Sequence, residues 1–231
     1  MPDSRTLLIT GASTGIGAAT ARQAAAAGWN VVISARSEDK LESLAAELGD
    51  SALAQRCDVT EWADQERLVK AALERFGRID AVFANAGFGA ARGFEKEDPE
   101  QWRSMVLTNV LGVAYTIRAT LSHLRERGSG HYVLTSSVAG RRALPGSLYS
   151  STKWAVTGMA ESLRQELRQD KEGNVRVTVV EPGLVDTAFF DNPVSDALEP
   201  DDVARIVMFA LEQPDRVDIN EILVRPVKQA S

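Results

Sequence analysis

The 231 residues predict a single-domain α/β protein, a doubly wound parallel sheet with helices on both faces. Three observations carry that prediction. Short runs of Val, Ile, Leu and Ala, apolar on both faces, alternate with longer segments of helical period, as strands buried between two helical layers do. A glycine-rich turn joins the first strand to the first helix. No linker, low-complexity tract or internal repeat divides the chain, and its length suits one such domain.

Taken in order, Thr6–Thr10 is a continuous apolar run and predicts a buried strand. Gly15–Ala27 is Ala-rich with helical spacing, and Gly28 closes it as a C-terminal cap. Asn30–Arg36 is a second buried strand. Ser37 then stands as an N-cap, with Lys40 where a capping box would put Glu, and Glu38–Leu48 follows as helix. Ala52–Cys57 predicts a strand, Glu61–Arg75 a helix and Ile79–Ala84 a strand. Pro99–Arg127 is a long helix expected to bend or break inside. His131–Thr135 is the next strand, Tyr149–Gln169 a helix and Val175–Val180 a strand. Pro200–Leu211, after an N-cap-like Glu-Pro start, predicts a helix, and Ile222–Val224 a last short strand. Right-handed crossovers between such strands place ligands beyond their carboxyl ends.

Composition narrows the class. The apolar share is that of an ordinary globular protein, enough to bury a core without covalent staples. The net charge of −6, with no run of like charges, argues against a nucleic-acid partner. The first residues hold no basic stretch followed by a long apolar segment, and no apolar run reaches the ~18 residues of a membrane span. Cys57 is the one cysteine, so no intramolecular disulfide forms; it reads as a small buried hydrophobe. The expectation is a soluble, cytoplasmic protein with no membrane, nucleic-acid or metal partner.

The turn Thr10-Gly-Ala-Ser-Thr-Gly-Ile-Gly17 lies between a strand and an Ala-rich helix, the setting of a dinucleotide site. Gly11 permits the tight turn. Gly15 and Gly17, on either side of Ile16, let a pyrophosphate approach the backbone and the helix pack on the strand. Tyr149 and Lys153, four apart, share one helix face. A tyrosine hydroxyl titrates near 10, too high for a good base at neutrality, and an ammonium beside it favours the phenolate. Such a pair can act as general acid in carbonyl reduction or as general base in alcohol oxidation.

Further pieces recur in a fixed order: Asp58-Val59 after the third strand, Asn85-Ala86-Gly87 after the fourth, Asn109 in the long helix, a serine after the fifth, Tyr149-x-x-x-Lys153, and Pro182-Gly183-x-x-x-Thr187 after the sixth. With Gly11-x-x-x-Gly15-x-Gly17 they make the chain resemble, almost end to end, the single-domain short-chain dehydrogenases/reductases. The resemblance implies a Rossmann-like fold, a nicotinamide cofactor and a small-molecule carbonyl or alcohol substrate. It implies a catalytic set of Asn109, Ser137, Tyr149 and Lys153. Tyr149 and Lys153 also count among the cofactor-binding residues, the lysine through the nicotinamide ribose hydroxyls. Asp58 would contact the adenine, with Val59 nearby; the competing reading of Asp58 is an N-cap-like residue before the third helix. Asn85, Ala86 and Gly87 would form a structural turn against the cofactor. Asn109 would support a water linking the lysine to solvent, its plainer alternative being a satisfied core amide. Leu184, Val185 and Thr187, beyond Pro182-Gly183, would meet the nicotinamide carboxamide.

Two choices rest on local detail. Ala35 and Arg36 stand at the end of the second strand, where an acid would hydrogen-bond an adenosine ribose. A guanidinium there suits a 2′-phosphate, with hydroxyls from Ser13 and Thr14, so the cofactor expected is NADP; the alternative for Arg36 is a solvated strand end. For the serine, an ungapped register from Gly130 to Gly140 selects Ser137. The family's thirteen-residue spacing to the tyrosine selects Ser136, and register is preferred because it is harder to shift than loop length.

A short lid at Ala188–Leu198 implies an open pocket. Arg92, Arg141 and Arg142 would hold a substrate carboxylate, or else be solvated or paired with acids such as Glu95 or Asp191. The tail Asn220–Gln229 is similar to those of serine/3-hydroxy acid dehydrogenases and of clavulanic aldehyde reductase, which does not name a substrate. Family habit implies a homodimer or homotetramer. The alternative function is a non-catalytic NADP(H)-sensing protein on the same fold. A sugar-nucleotide epimerase is disfavoured because no substrate domain follows the sixth strand.

Overall fold

A computed structural model describes residues 4–89, 92–170, 173–187 and 194–229. Seven strands form one parallel sheet: β1 (Thr6–Thr10), β2 (Asn30–Ala35), β3 (Ala52–Arg56), β4 (Ala81–Ala84), β5 (Ser129–Thr135), β6 (Asn174–Pro182) and β7 (Glu221–Val224). Their spatial order is β3-β2-β1-β4-β5-β6-β7. The chain therefore leaves the sheet's centre after β1, winds to one edge, and returns to build the other half from β4 outward. The order reverses between β1 and β4, where Leu7 pairs with Ala81 and Thr10 with Ala84. A crevice opens at the carboxyl ends of strands on either side of such a reversal.

Alternation within each strand divides the core in two. Leu7, Ile9, Val31, Ile33, Phe83 and Val133 point to one face. There α1 (Gly15–Ala26), α2 (Glu38–Leu48) and α7 (Pro200–Leu211) cover them. Leu8, Val32, Val82, Tyr132 and Leu134 point to the other. That face is covered by α3 (Trp62–Phe76), α5 (Val113–Glu126) and α6 (Leu148–Leu167). All five residues of β1 are buried, which explains why its sequence reads as apolar without alternation.

The long helix predicted over Pro99–Arg127 is α4 (Pro99–Val106), a π-helical turn at Leu107–Gly112, and α5. The expected interruption is thus one widened turn within a continuous rod, centred near Asn109. Gly112 fits there because a Cβ would come within 2.6 Å of Val59 Cγ2. Other bounds differ at the ends: β6 runs from Asn174 to Pro182 because it is paired along both edges, with β5 and with β7. Gly28 carries φ of +83° directly after α1, as its capping position requires.

Candidate active site

The cleft at the strand carboxyl ends encloses about 520 Å³. Its floor is the glycine turn. Gly11 has φ of +68°, and a Cβ on it would stand 2.7 Å from Ala86 Cα, so the turns after β1 and β4 close on each other only because this residue is glycine. A Cβ on Gly17 would lie 2.3 Å from the Gly11 carbonyl oxygen. The N-terminus of α1 has no side-chain cap and no acid in its first turn. Its first amides, at Gly15 and Ile16, therefore border the cleft with the dipole's positive end uncompensated, a setting that accepts phosphate.

Asn85 fixes this floor. Its side-chain amide donates to the carbonyls of Thr10 (3.3 Å) and Gly11 (3.2 Å), and its oxygen accepts from Thr135 Oγ1 at 3.2 Å. One side chain so ties the ends of β1, β4 and β5. Ser13, Thr14, Ala35, Arg36 and Ser37 line one end of the cleft. Arg36 is exposed there, beyond the end of β2 at Ala35. Asp58 and Val59 also line that end, and Asp58 Oδ1 accepts from the amide (3.0 Å) and hydroxyl (2.8 Å) of Thr60. The carboxylate thus forms a local turn as well as facing the cleft; α3 begins later than expected, at Trp62. Burial pushes the neighbouring Cys57 thiol up to about 12, which leaves it unreactive near neutrality.

At the other end α6 brings in Tyr149 and Lys153. Lys153 is 4% exposed. Its ammonium donates to the Thr135 carbonyl at 2.8 Å and lies 5.6 Å from the centre of the Tyr149 ring. Burial lowers the lysine to about 8. Burial also raises Tyr149 to about 12, against the pull of a hydrogen bond with Ser137. Loss of water around the phenol is the larger influence, and a hydroxyl held protonated suits a proton donor.

The two serines diverge. Ser137 sits in the cleft beside Tyr149. Its hydroxyl accepts from the Ala139 amide at 3.1 Å and donates to the Pro182 carbonyl at 3.4 Å. Ser136 also borders the cleft, but its hydroxyl is engaged by α6, donating to the Lys153 carbonyl at 2.9 Å and paired with Thr157 Oγ1 at 2.9 Å. Asn109 is fully buried. Its amide donates to the Phe88 carbonyl (2.9 Å) and Thr152 Oγ1 (3.1 Å) and accepts from the Phe88 amide (3.0 Å). Each polar atom of this side chain is thus engaged within the protein. Gly87 closes this corner: a Cβ there would lie 3.1 Å from Asn109 Oδ1 and 3.5 Å from Lys153 Nζ.

Pro182, Gly183, Leu184, Val185 and Thr187 form the remaining wall. The Thr187 methyl lies where a Cβ on Gly15 would meet it at 3.2 Å, so this loop reaches the glycine turn. Of the expected lid, Ala188–Pro193 lies outside the described residues, as does Asp191 as an arginine partner. Leu198 pairs with Val185 in a parallel bridge.

Arg141 does not reach the cleft. Its Nε donates to Glu181 at 2.6 Å and its Nη2 pairs with Glu221. Glu181 is 1% exposed and requires that partner, which removes Arg141 from substrate binding. Arg142 is exposed outside the cleft lining, while Arg92 borders the mouth. Thr135, Phe88, Leu144, Ser147 and Gln229 also line the cleft without belonging to any of the motifs. Gln229 lies in the distinctive tail, but nothing in a sequence says where a tail folds back. Among the described residues no three metal-ligating side chains cluster, and no helix is long and apolar enough to cross a membrane.

The model of the short chain dehydrogenase family matches residues 5–198. An uncharacterized oxidoreductase of Staphylococcus saprophyticus is 36% identical over 241 residues, covering 98% of this chain and 97% of the relative. An alcohol dehydrogenase from the archaeon Thermococcus sibiricus, complexed with 5-hydroxy-NADP, superposes with a TM-score of 0.91 at 34% identity, covering 99% of both chains. Serine dehydrogenase from Escherichia coli gives 0.89 at 32%, covering 98% of this chain and all of that one. Other solved neighbours are complexed with NADH or NAD.

Proposed function

The chain belongs to the short-chain dehydrogenase/reductase family, and on that footing we propose that it reduces a carbonyl with NADPH, or runs the reverse oxidation. The observation that carries this reading is the meeting of Tyr149, Lys153 and Ser137 at one end of a cleft whose other end holds an uncapped helix N-terminus and Arg36. The residues fit a dinucleotide: Gly11, Gly15 and Gly17 let the turns around the cleft close on one another, the first amides of α1 border it uncapped, and Asp58, Asn85 to Gly87 and Pro182 to Thr187 wall its path.

The nicotinamide, when bound, supplies or takes up the hydride. Tyr149 gives its proton to the substrate oxygen in reduction and takes it back in oxidation. Ser137 donates a hydrogen bond to the same oxygen. Lys153 binds the ribose and stabilises the phenolate left behind, and the π-helical turn at Asn109 supports the water that reconnects the lysine to solvent. Arg36, with Ser13 and Thr14, selects NADP through the 2′-phosphate. A reducing, cytoplasmic setting suits the one buried cysteine. Exposed Val106 on α4 and Trp154 on α6 suit association into a homodimer or homotetramer.

For the substrate, Arg92 favours a keto or hydroxy acid. Among the described residues lining the cleft, the other cations are Arg36 at the opposite end and Lys153. Following NADPH absorbance over aldehydes, ketones, keto acids and their methyl esters tests the whole reading. Expected are tighter binding of NADPH than of NADH, acids preferred over esters, and turnover lowered ~10² or more in Tyr149→Phe with NADPH binding kept. Equal affinity for both cofactors would refute the NADP assignment, and esters reduced as well as acids would remove Arg92. No turnover of any member, with NADPH still bound, would favour the cofactor-sensing alternative.

A further inference from the structure

The tail that follows β7 returns to the cleft. A turn closes from the Gln229 amide to the Pro226 carbonyl at 3.0 Å, and Lys228 Nζ donates to Asp196 Oδ1 at 2.8 Å. Gln229 Oε1 then accepts from the Leu184 amide at 2.9 Å. Because that oxygen is the acceptor, the remaining side-chain atom is the NH₂ group. Gly183 has no left-handed φ, so the turn itself does not require glycine. The requirement comes from the tail: a Cβ on Gly183 would stand 2.1 Å from Gln229 Oε1.

This contact completes the hydrogen bonding of the wall. The Gly183 amide goes to the Val224 carbonyl (2.7 Å) and the Asp186 amide to the Leu198 carbonyl (2.8 Å), while the Leu184 carbonyl accepts from the Leu198 amide (2.9 Å). With Leu184 held by Gln229, Val185 is the amide of residues 183–186 that no described group accepts from. We propose that Gln229 is a positioning residue of the cofactor cleft. It fixes the peptide plane after Gly183 and so presents the Val185 amide, with Thr187 beyond it, at the cleft wall. Without it the Leu184 amide, half-buried, would seek another acceptor, and the nearest change is rotation of the peptide that sets Val185. The role belongs to the oxygen of Gln229 and acts through Leu184.

The inference rests on the reading of this cleft as a nicotinamide site. The test compares the protein with Gln229→Ala and Gln229→Glu by two measurements: hydrogen–deuterium exchange of the cofactor-free protein, and NADPH fluorescence titration. Gln229→Ala is expected to speed exchange in the peptide spanning 183–187 and to weaken NADPH about tenfold. Gln229→Glu keeps an acceptor at the same reach and is expected to stay within about threefold in both measurements. Unchanged NADPH affinity in Gln229→Ala, with or without faster exchange, would overturn the proposal. So would a Glu variant as impaired as the Ala variant, since the acceptor would then not be what matters. If the unaltered protein binds neither NADPH nor NADH, the nicotinamide reading has failed and the positioning role falls with it.

Discussion

Ser136 and Ser137 are adjacent in the chain, yet the direction of the backbone after β5 gives them separate surroundings. Ser137 meets Tyr149 across the cleft, and Ser136 supports the Lys153 carbonyl. Ser137→Ala is expected to lower turnover by ~10² with little change in melting, as loss of a donor to a developing oxyanion does. Ser136→Ala removes a buried bond and is expected to cost about 1 kcal/mol of stability, with activity kept within about fivefold. Steady-state kinetics and thermal melts of both variants decide the matter, and the opposite order of activities would exchange their roles. The placement of these residues was largely legible in the sequence, because strand register and helical spacing are short-range constraints. The protonation of Tyr149 was not. Lysine spacing can be read from sequence, but the burial that raises the phenol depends on elements distant in the chain.

Among the elements, the loop between β5 and α6 is held by an ion pair that the sequence reading assigned elsewhere. Arg141, in that loop, joins Glu181 on β6 and Glu221 on β7, and Glu181 Oε1 also accepts from Thr157 on α6 at 3.4 Å. Burial raises the Glu181 carboxyl, and Arg141 opposes that rise. Arg141→Ala is therefore expected to destabilise the fold by about 2 kcal/mol, less than the ~3–5 typical of a broken buried pair because the guanidinium is partly solvated. The sign with pH follows: a carboxyl whose folded pKa is raised above its unfolded value loses stability as pH increases, so the deficit should be larger at pH 8 than at pH 5. Chemical denaturation at the two pH values measures it. Adding Glu181→Gln to Arg141→Ala should recover most of the loss, and no recovery would show that the pair is not the cause. An arginine near a pocket reads equally well as a ligand for substrate or for a buried acid. Glu181, forty residues away, announces its burial only in that it follows an apolar strand.

For the molecule as a whole, the fold class and order of elements follow from periodicity, since the central strands are buried against one another and only the edge strands β3 and β7 are partly exposed. The return of the tail and the inner structure of the long helix lay beyond it. Both depend on close contacts between segments remote in sequence, at Gly183 and Gly112. The sheet's interior also holds His131, 2% exposed, whose Nε2 meets Thr178 Oγ1 at 2.7 Å. Thr178 donates to the Ile219 carbonyl, so it accepts from Nε2–H and the ring is neutral, with Nδ1 unbonded among the described residues. Burial, aided by Arg176, lowers this histidine to about 3. The unfolded chain then binds one more proton between about pH 6.5 and 3, and stability is lost as pH falls through that window. Between pH 7 and 5 this group alone should lose about 2 kcal/mol, to which His123, which burial also lowers, adds. Urea unfolding of His131→Gln should show a distinctly flatter slope over that range, and an unchanged slope would remove His131 as its origin.

Deleting a single residue within Leu107–Gly112 would turn the widened turn into an ordinary helix, locally the more comfortable conformation. Because the widened turn spends its extra residue on a wider circle, the faces on either side would keep their phase, with Met105 before it and Val113, Ile117 and Leu124 after it still toward the core. What would go is the local swelling that sets Asn109 against Phe88 and Thr152. The additional residue is a spare one to the rod and a necessary one to the corner it fills, so a deletion here is expected to spare the fold more than the site.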